Sequence, residues 1–508
     1  MSEKLMHTET KPLSDMDTET FRQYGHKIID WITDYLSNIE SYPVLSKVKP
    51  GEIKSKLPKS APKNPEDMDI ILKDFENVIL PGITHWNHPS FFAYFPTSSS
   101  IPGVFGELLT SVLNAQGMLW KTSPACTELE EVVLDWLRQM LSLNNNFFGI
   151  IYDYASTSTL HAIAAARETL NLKIREEGMA GRKDLLLLRL YASTEAHSSV
   201  EKAAITLGIG QKNVRKVAVD GALQMDTKAL VNLIEEDIKA GCIPFCVVAT
   251  VGTTSTTSID PVGLIAAICK KYKIWLHVDA AYAGVSAIVP EMKHITDGWN
   301  EADSIVMNPH KWLFTPLDLS VLYTKKPEVL KRAFSLTPEY LKTNVDDEIK
   351  NLSDYSLQLG RRFRALKLWF VMRYFGQEGL ITRIREHIRL ARMLGSWMDA
   401  SSDFHPLGVP FSTIVFRYYP KELKDKSKSK QDEKIIEDYL NKINEAVMNA
   451  VNATGKIYIS HTVVQNRFVL RFSIGNIRTT EKHVKEAWDL LKEYAKNTDS
   501  TMRDTLGL

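Results

Sequence analysis

The sequence predicts an α/β protein with a mainly parallel sheet and a smaller C-terminal α+β domain. In the middle of the chain, runs that are apolar throughout, such as FCVVATVG and KIWLHVDAA, alternate with helical stretches such as LIAAICKKYK. Continuous apolar strands between helices indicate a parallel sheet that is covered on both faces. From about residue 385, long helices mix with the strand-like runs STIVFRYY, KIYISHT and RFVLRFSI, which indicates a separate domain.

The N-terminal part predicts a helical arm followed by a connector. Behind two candidate N-caps, Asp15 and Asp17, apolar residues recur at helical spacing: Phe21, Tyr24, Ile28, Ile29, Ile32 and Tyr35. The following stretch, SYPVLSKVKPGEIKSKLPKSAPKNPED, is rich in Pro, Lys and Ser, which is typical of an extended connector. We therefore predict an arm and linker over residues 1–80, a large α/β domain over 81–385 and a small domain over 386–508.

The segments of the large domain carry recognisable start signals. In SPACTELEEVVLDWLRQML, Ser123 caps a helix whose first turn contains Pro124. Further strands are predicted at DLLLLRLYAS and SIVMN, and a further helix at LHAIAAARETLNLKI. In the small domain, the mixed charge run KELKDKSKSKQDEK lacks apolar periodicity and predicts a solvated loop.

Composition argues against several classes of partner. Lys and Arg number 62 and Asp and Glu 61, so a net charge of +1 offers no electrostatic footprint for nucleic acid or an anionic membrane. No apolar run approaches the roughly 18 residues of a membrane helix. The four cysteines lie in apolar segments without metal-ligand spacing, which predicts no metal site and a reducing, cytoplasmic compartment; they are Cys126, Cys242, Cys246 and Cys269.

Polar residues that end apolar strands identify a candidate site, because ligands of an open parallel sheet gather at the carboxyl ends of its strands. Asp279 follows the strand of KIWLHVDAAYAG, although an Asp there also serves as a turn cap. Lys311 lies between His310 and Trp312 in SIVMNPHKW, where apolar surroundings would lower the pKa of its amine and make it nucleophilic, unlike a solvated surface lysine. His197, in YASTEAHSSVEKA, follows a strand and precedes a helix, so it is a third candidate. Its alternative interpretation is a structural, hydrogen-bonded histidine.

Together, these three residues indicate a particular kind of cofactor site. A cofactor that acts as an electron sink needs an amine to form a Schiff base, a carboxylate beside its pyridine nitrogen and a flat group against its ring. Lys311, Asp279 and His197 could fill these roles in that order.

The chain resembles the group II pyridoxal-phosphate decarboxylases, specifically the aromatic-L-amino-acid decarboxylases. The resemblance covers nearly the whole chain after about residue 18 and rests on ordered motifs: HPSFFAYFPTSSS, SPACTELE, AHSSVEKA, ATVGTT, HVDAAYAG, NPHKW, LGRRFRALKLWF and FVLRFSIG. It implies the fold type I of pyridoxal-phosphate enzymes, which is aspartate-aminotransferase-like with a seven-stranded type of sheet. It also implies the cofactor pyridoxal 5′-phosphate.

By this resemblance, Lys311 holds the cofactor as a Schiff base and Asp279 pairs with its ring nitrogen. His197 stacks on one face of the ring and Ala281 supports the other. The remaining residues expected at the cofactor are the phosphate grip, which consists of Ala155, Ser156, Asn308 and His310, and Thr254 near the ring.

The resemblance further implies the reaction and the assembly. Tyr340 occupies the position of a lid tyrosine that protonates Cα, so the expected product is an amine and carbon dioxide. Relatives with Phe there are oxygen-consuming aldehyde synthases, which is the alternative activity. The non-enzymatic alternative is a catalytically silent binding or scaffold protein, and the presence of Lys311 and Asp279 argues against it. Members of the family are homodimers in which the N-terminal arm packs across the interface.

The substrate is expected to be an aromatic L-amino acid. Tyrosine, dopa, tryptophan, 5-hydroxytryptophan and phenylalanine all remain open, because a plain hydrophobic pocket discriminates by only about 1–3 kcal/mol per methylene or hydroxyl. By the same resemblance, Gly360 stands where relatives with smaller or different substrate rings carry a bulkier serine, which implies room for a large ring such as an indole. The expected substrate wall consists of Tyr94, Thr97, Gln116, Met118 and Gly360, and among these Gln116 and Met118 replace residues that are commonly hydrophobic or aromatic.

Overall fold

The computed structural model describes residues 15–336, 349–424 and 430–506 of the chain. It divides into two compact units, Met1–His88 and Pro89–Leu508. The predicted boundaries at residues 80 and 385 stay predictions. The second unit contains both the predicted large domain and the predicted small domain.

The described residues of the first unit form the α-helices α1 (Thr18–Ser37), α2 (Glu52–Lys56) and α3 (Met68–Asp74). Asp17, one of the two candidate caps, accepts the amides of Glu19 and Thr20 at the start of α1. Helix α2 interrupts the stretch that was predicted to be extended throughout. It forms there because Glu52 accepts the Lys49 amide at 3.1 Å and pairs with Lys56 one turn later at 3.0 Å.

A seven-stranded sheet formed by described residues organises the large domain. Its strands are β1 (Phe148–Tyr152), β2 (Leu188–Ser193), β3 (Val214–Val217), β4 (Ile243–Thr250), β5 (Trp275–Asp279), β6 (Ser304–Met307) and β7 (Ser320–Thr324). Their order is β1-β7-β6-β5-β4-β2-β3. Strand β7 is antiparallel to both of its neighbours and the other strands are parallel to one another. The predicted mainly parallel sheet is thus confirmed.

Helices cover both faces of this sheet. They are α4 (Ile101–Leu113), α5 (Pro124–Met140), α6 (Ala155–Glu168), α7 (Ile174–Glu177), α8 (Ser199–Thr206), α9 (Thr227–Lys239), α10 (Val262–Tyr272), α11 (Pro309–Trp312), α12 (Pro327–Phe334) and α13 (Ala365–Asp399). Neighbouring residues of one strand enter different hydrophobic clusters: Val247 belongs to one and Val248 to the other. Because side chains alternate along a strand, these clusters are the two faces of the sheet. The helix predicted after Ser123 begins at Pro124, and the Ser123 hydroxyl accepts the Cys126 amide.

The C-terminal part has its own sheet and core. Strands β8 (Phe404–Pro406), β9 (Thr413–Tyr418), β10 (Ser460–Val464) and β11 (Arg467–Ser473) form an antiparallel sheet in the order β10-β11-β9-β8. Helices α14 (Lys421–Lys424), α15 (Lys430–Ala453) and α16 (Glu481–Leu506) accompany it. Helix α13 runs through the predicted boundary at residue 385, since Ile388 packs in the first core and Leu390 in the second.

The loop predicted over KELKDKSKSKQDEK is partly wrong. Both ends of that segment are helical, in α14 and in the first turns of α15, and residues 425–429 lie outside the described ranges. Lys and Glu are good helix formers, so a charged run without apolar periodicity can still continue a helix whose later turns pack on a core.

All four cysteines are free thiols. In the described ranges, no helix has both the length and the apolar character needed to cross a bilayer.

Candidate active site

The sheet topology brings the predicted site residues to one edge. Strands β1, β2, β4, β5 and β6 run parallel, so their carboxyl ends share an edge of the sheet. Ala155 begins the helix after β1, His197 follows β2 and Thr254 follows β4. Asp279 ends β5, and Lys311 follows β6 on α11. The strand order and direction therefore bring these strand ends to the same edge of the sheet, as expected from the sequence.

Asp279 is a buried carboxylate in the middle of this edge. It pairs with Thr250 of β4 on one side and with Val306 of β6 on the other. Its Oδ1 atom accepts the Ala281 amide at 3.1 Å, so the residue does cap the turn that follows the strand. The Ala281 carbonyl in turn accepts the Asn308 amide at 3.1 Å, which ties this turn to the end of β6. Both contacts hold the carboxylate at a fixed position.

Lys311 has the surroundings of a nucleophilic amine. Its backbone amide donates to the Asn308 carbonyl at 2.9 Å, which begins the single turn of α11. Burial lowers the pKa of the Lys311 amine, the carboxylate of Asp279 acts in the opposite direction, and the charge of Arg471 lowers the pKa further. A lowered pKa leaves more of the amine unprotonated at neutral pH and able to attack an aldehyde.

His197 lies within electrostatic range of both residues. Its Nδ1 atom accepts the Ser199 amide at 3.1 Å, so in the neutral ring the proton resides on Nε2. Desolvation by the surrounding protein lowers the pKa of His197, the Asp279 carboxylate raises it, and the Lys311 charge lowers it. His197, Asp279 and Lys311 therefore lie within electrostatic range of one another.

The N-terminus of α6 provides amides for an anion. Tyr154 precedes the helix without a side-chain cap, and Ala155 and Ser156 are its first two residues. The first amides of a helix have no acceptor within it and favour negative charge. The Tyr154 ring lies 5.4 Å from the His310 ring, so this helix end faces the other half of the predicted phosphate grip.

Asn308 and His310 are both buried there. His310 Nδ1 accepts the Leu319 amide at 2.9 Å, which leaves Nε2 as a donor, and burial lowers the pKa of this ring to about 3. The Asn308 side chain makes no cap hydrogen bond to α11, and its Oδ1 atom has no partner among the described residues. A buried amide left in this way is available to a ligand.

Thr254 is exposed in the turn after β4. Gly252 shapes that turn with a φ of 86°, and a Cβ atom there would lie 2.8 Å from the Cβ of Ala283. The expected contact of Thr254 with the cofactor ring stays a prediction.

The expected substrate wall falls into two groups. In the first, Tyr94 has a φ of 52° and its hydroxyl lies 3.0 Å from that of Tyr458. The next residue, Phe95, packs on Trp312 with ring centroids 5.7 Å apart, which brings this segment beside Lys311. Thr97 is half-buried two residues later.

The second group surrounds Gln116. Its Oε1 atom accepts the Arg361 amide at 2.6 Å, and a Cβ atom on Gly360 would lie 3.3 Å from its Nε2 atom. The Met118 carbonyl accepts the Ser353 amide at 3.1 Å. The structure thus brings Gln116 and Gly360 together, and their contact with substrate stays a prediction. Tyr340 lies outside the described residues.

Two further residues were not identified from the sequence. Arg471, on β11, is buried; it donates to the Ser255 carbonyl at 3.0 Å and its charge acts on Lys311. His277 is fully buried on β5, two residues before Asp279. The available signal was a charged or polar side chain inside an otherwise apolar strand run, in FVLRFSIG and in KIWLHVDAA.

Comparisons with known proteins agree with this arrangement. The family model of the pyridoxal-dependent decarboxylase conserved domain matches residues 50–419. A tyrosine decarboxylase of Papaver somniferum is 40% identical over 496 residues, which cover 94% of this chain and 95% of that protein. A phenylacetaldehyde synthase of a Rosa hybrid cultivar is 40% identical over 498 residues, which cover 96% of each chain. The solved structure of Oryza sativa TDC with PLP and tryptamine has a TM-score of 0.89 and 37% identity, covering 96% of this chain and 99% of that one.

Proposed function

This chain belongs to the pyridoxal-dependent decarboxylase family, and from that premise we propose that it converts aromatic L-amino acids to the corresponding amines and carbon dioxide. It is a pyridoxal-phosphate-dependent carboxy-lyase. The observation that carries the proposal is the partly buried Lys311, whose amine has a pKa lowered by desolvation and lies within electrostatic range of the buried carboxylate of Asp279 at the carboxyl edge of the sheet.

The residues at this edge fit pyridoxal phosphate. The cofactor needs an amine, a carboxylate and an anion site, and the edge supplies Lys311, Asp279 and the amides that open α6. The Nε2 donor of His310 adds to the anion site, and Asn308 would contribute through its amide N–H group, because its Oδ1 atom can only accept a hydrogen bond. When bound, pyridoxal phosphate supplies an electron sink for the pair left on Cα as carbon dioxide departs.

We assign the roles of this chain's residues accordingly. Lys311 would bind the cofactor aldehyde covalently, and the Asp279 carboxylate would accept a hydrogen bond from the protonated ring nitrogen. His197 and Ala281 would hold the ring between them. A carboxylate at the buried position of Asp279 would stabilise positive charge on the ring nitrogen, which is the charge that draws electrons from Cα.

The aromatic substrate is proposed from the relatives. One relative is named for tyrosine, and the solved relative holds tryptamine, an amine with an indole ring. The test is to incubate purified protein with tyrosine, dopa, tryptophan, 5-hydroxytryptophan and phenylalanine while carbon dioxide, amine and peroxide are followed together. We expect one amine per carbon dioxide and little peroxide. Release of carbon dioxide from none of these substrates would overturn the aromatic assignment.

The aldehyde synthase is the second candidate activity, because a phenylacetaldehyde synthase is as similar to this chain as the tyrosine decarboxylase is. We propose that Tyr340 decides between them by donating a proton to Cα, which commits the product to the amine. Peroxide that equals carbon dioxide in the wild-type protein would favour the synthase.

Substitution of Tyr340 by Phe tests this role. Without the phenol as proton donor to Cα, oxidation by molecular oxygen would compete, so the product is expected to shift from amine to aldehyde, ammonia and hydrogen peroxide. General acid catalysis contributes about 10²- to 10⁴-fold, and amine formation should fall by that order. The measurement is the ratio of amine to aldehyde. Tyr374→Phe, which removes the phenol of an exposed tyrosine on α13, is the matched control and should leave this ratio unchanged.

We also propose that the protein is a homodimer, on the basis of an apolar face of α4. Its exposed residues are between 43% and 65% accessible in the single chain: Ile101, Phe105, Leu108, Leu109, Val112 and Leu113. A contiguous apolar patch of this kind marks an interaction surface. A second copy is its proposed occupant, since homodimers are the commonest assembly of soluble proteins. The part of α1 in that interface stays a prediction.

A double substitution, Leu108→Glu with Val112→Glu, is expected to dissociate the dimer. Each buried, unpaired carboxylate costs about 3–5 kcal/mol, so the dimer dissociation constant should rise by at least about 10²-fold. Sedimentation equilibrium measures it. Leu264→Glu, which places the same charge at an exposed leucine of α10, is the control and should leave the mass unchanged. An unchanged dimer in the double variant would place the interface elsewhere.

A further inference from the structure

Three alternate side chains of β5 form a buried row that ends at Asp279. Alternate positions of a strand share one face, so Trp275, His277 and Asp279 point to the same side of the sheet. They are 4%, 0% and 5% exposed. Asp279 lies at the carboxyl end of the row, where the cofactor site is, and His277 stands directly behind it.

Ser304 anchors the other members of this row. It lies opposite His277 in the register of β5 and β6. The Trp275 indole donates to the Ser304 hydroxyl oxygen at 2.9 Å, and the same oxygen lies 2.9 Å from His277 Nδ1. Ser304 is fully buried, and the described residues offer its hydroxyl proton no acceptor other than this Nδ1 atom. The hydroxyl therefore donates to Nδ1, and the ring proton of His277 resides on Nε2.

The Nε2 atom of His277 is the unusual feature. It is buried, and none of the described residues is its hydrogen-bond partner. Burial lowers the pKa of His277 to about 4, while the Asp279 carboxylate acts in the opposite direction, so the ring is neutral and within range of that charge. A buried donor without a partner costs about 1–3 kcal/mol. The Asp279 carboxylate, next on the same face, is not hydrogen-bonded to Nε2 in the structure and acts on the ring through its charge.

We propose that His277 is a positioning residue for the cofactor, which forms a hydrogen bond from its Nε2–H to Asp279 when the cofactor binds and so orients that carboxylate toward the cofactor's ring nitrogen. Ser304 sets the tautomer that makes this possible. The inference rests on the proposed cofactor site and extends it to a residue that touches neither cofactor nor substrate.

The test measures the cofactor without any substrate. Apo protein is titrated with pyridoxal phosphate whose ring nitrogen carries a magnetic isotope label, and the dissociation constant and the ring-nitrogen resonance are recorded. In His277→Phe, which keeps a flat ring and removes the donor, the resonance should move toward that of an unprotonated pyridine. The dissociation constant should rise by about 10- to 100-fold, as for other outer partners of a bound group. His277→Gln keeps an N–H donor and should recover most of the wild-type affinity.

His387→Phe is the matched control, because His387 is also buried and its Nδ1 accepts the Trp312 indole proton at 3.0 Å. It should lose folding stability without moving the ring-nitrogen resonance. If His277→Phe does not fold, Ser304→Ala carries the test and should shift the resonance in the same direction. A folded His277→Phe or Ser304→Ala holoenzyme with the wild-type resonance and affinity overturns the inference. Failure of the wild-type protein to bind the cofactor would instead overturn the proposed site itself.

Discussion

Replacement of Lys311 by alanine is expected to abolish decarboxylation and the covalent attachment of the cofactor. Activity should fall by roughly 10⁴-fold or more, as it does when the nucleophile of a group of cooperating catalytic residues is removed. The reason is specific to this amine. Burial and the charge of Arg471 lower the pKa of Lys311, and the Asp279 carboxylate lies within electrostatic range of it. The chain retains its fold, since α11 is a single turn held by backbone contacts.

Borohydride reduction and peptide mass analysis check this expectation. Treatment of wild-type holoenzyme should add the cofactor to the peptide that contains Lys311. Lys367 provides an internal control: burial also lowers the pKa of its amine, but Glu107 pairs with it at 2.8 Å and no aldehyde site is assigned there. Label on Lys367 with Lys311 unmodified, or an active Lys311→Ala protein, would refute the assignment.

Replacement of Asp279 by asparagine has the second largest expected effect. The change is nearly isosteric and keeps the acceptor for the Ala281 amide, but it removes the charge opposite the ring nitrogen. Loss of one partner of a buried pair costs about 3–5 kcal/mol, which corresponds to roughly 10²- to 10⁴-fold in kcat/KM. The decarboxylation assay measures it, and Asp279→Glu, which retains the charge at a displaced position, should lose less.

The same variant has a pH consequence in the apo protein. The Asp279 carboxylate raises the pKa of Lys311 because it stabilises the protonated amine, so its removal lowers that pKa further. The pH at which Lys311 begins to react with an aldehyde reagent should therefore move down in Asp279→Asn. Asp260→Asn is the matched control, since Asp260 is also a buried carboxylate but accepts the Thr250 and Met225 amides. An upward shift in Asp279→Asn would contradict the proposed pairing.

Much of the fold could be predicted from the sequence because its signals are local. The apolar runs of β4, β5 and β6 lie where they were predicted, and α5 begins at Pro124 behind Ser123. The errors came where a local signal is weak. A charged run was predicted to be a loop although its ends continue helices, and the stretch predicted to be extended contains α2.

The residues of the candidate site likewise fall into those that could be identified from the sequence and those that could not. Asp279, Lys311 and His197 could be identified because each follows an apolar strand, and a parallel sheet brings such ends to one edge. Arg471 and His277 could not be identified as parts of the site. A buried arginine in a C-terminal strand gives no sign in the sequence that it lies within range of Lys311, and a histidine in an apolar strand gives no sign of its partner.

The sequence by itself determined the chemical inventory of this protein: which strands are apolar, which residues end them, and that an amine, a carboxylate and an imidazole are available for a cofactor. Only the tertiary structure decided which tautomer His277 adopts and which charges act on Lys311. The physical reason is that hydrophobic periodicity and capping act between residues a few positions apart. The contacts of Ser304 with His277, and the approach of Arg471 to Lys311, depend instead on the register of strands and the packing of domains that are distant in the chain.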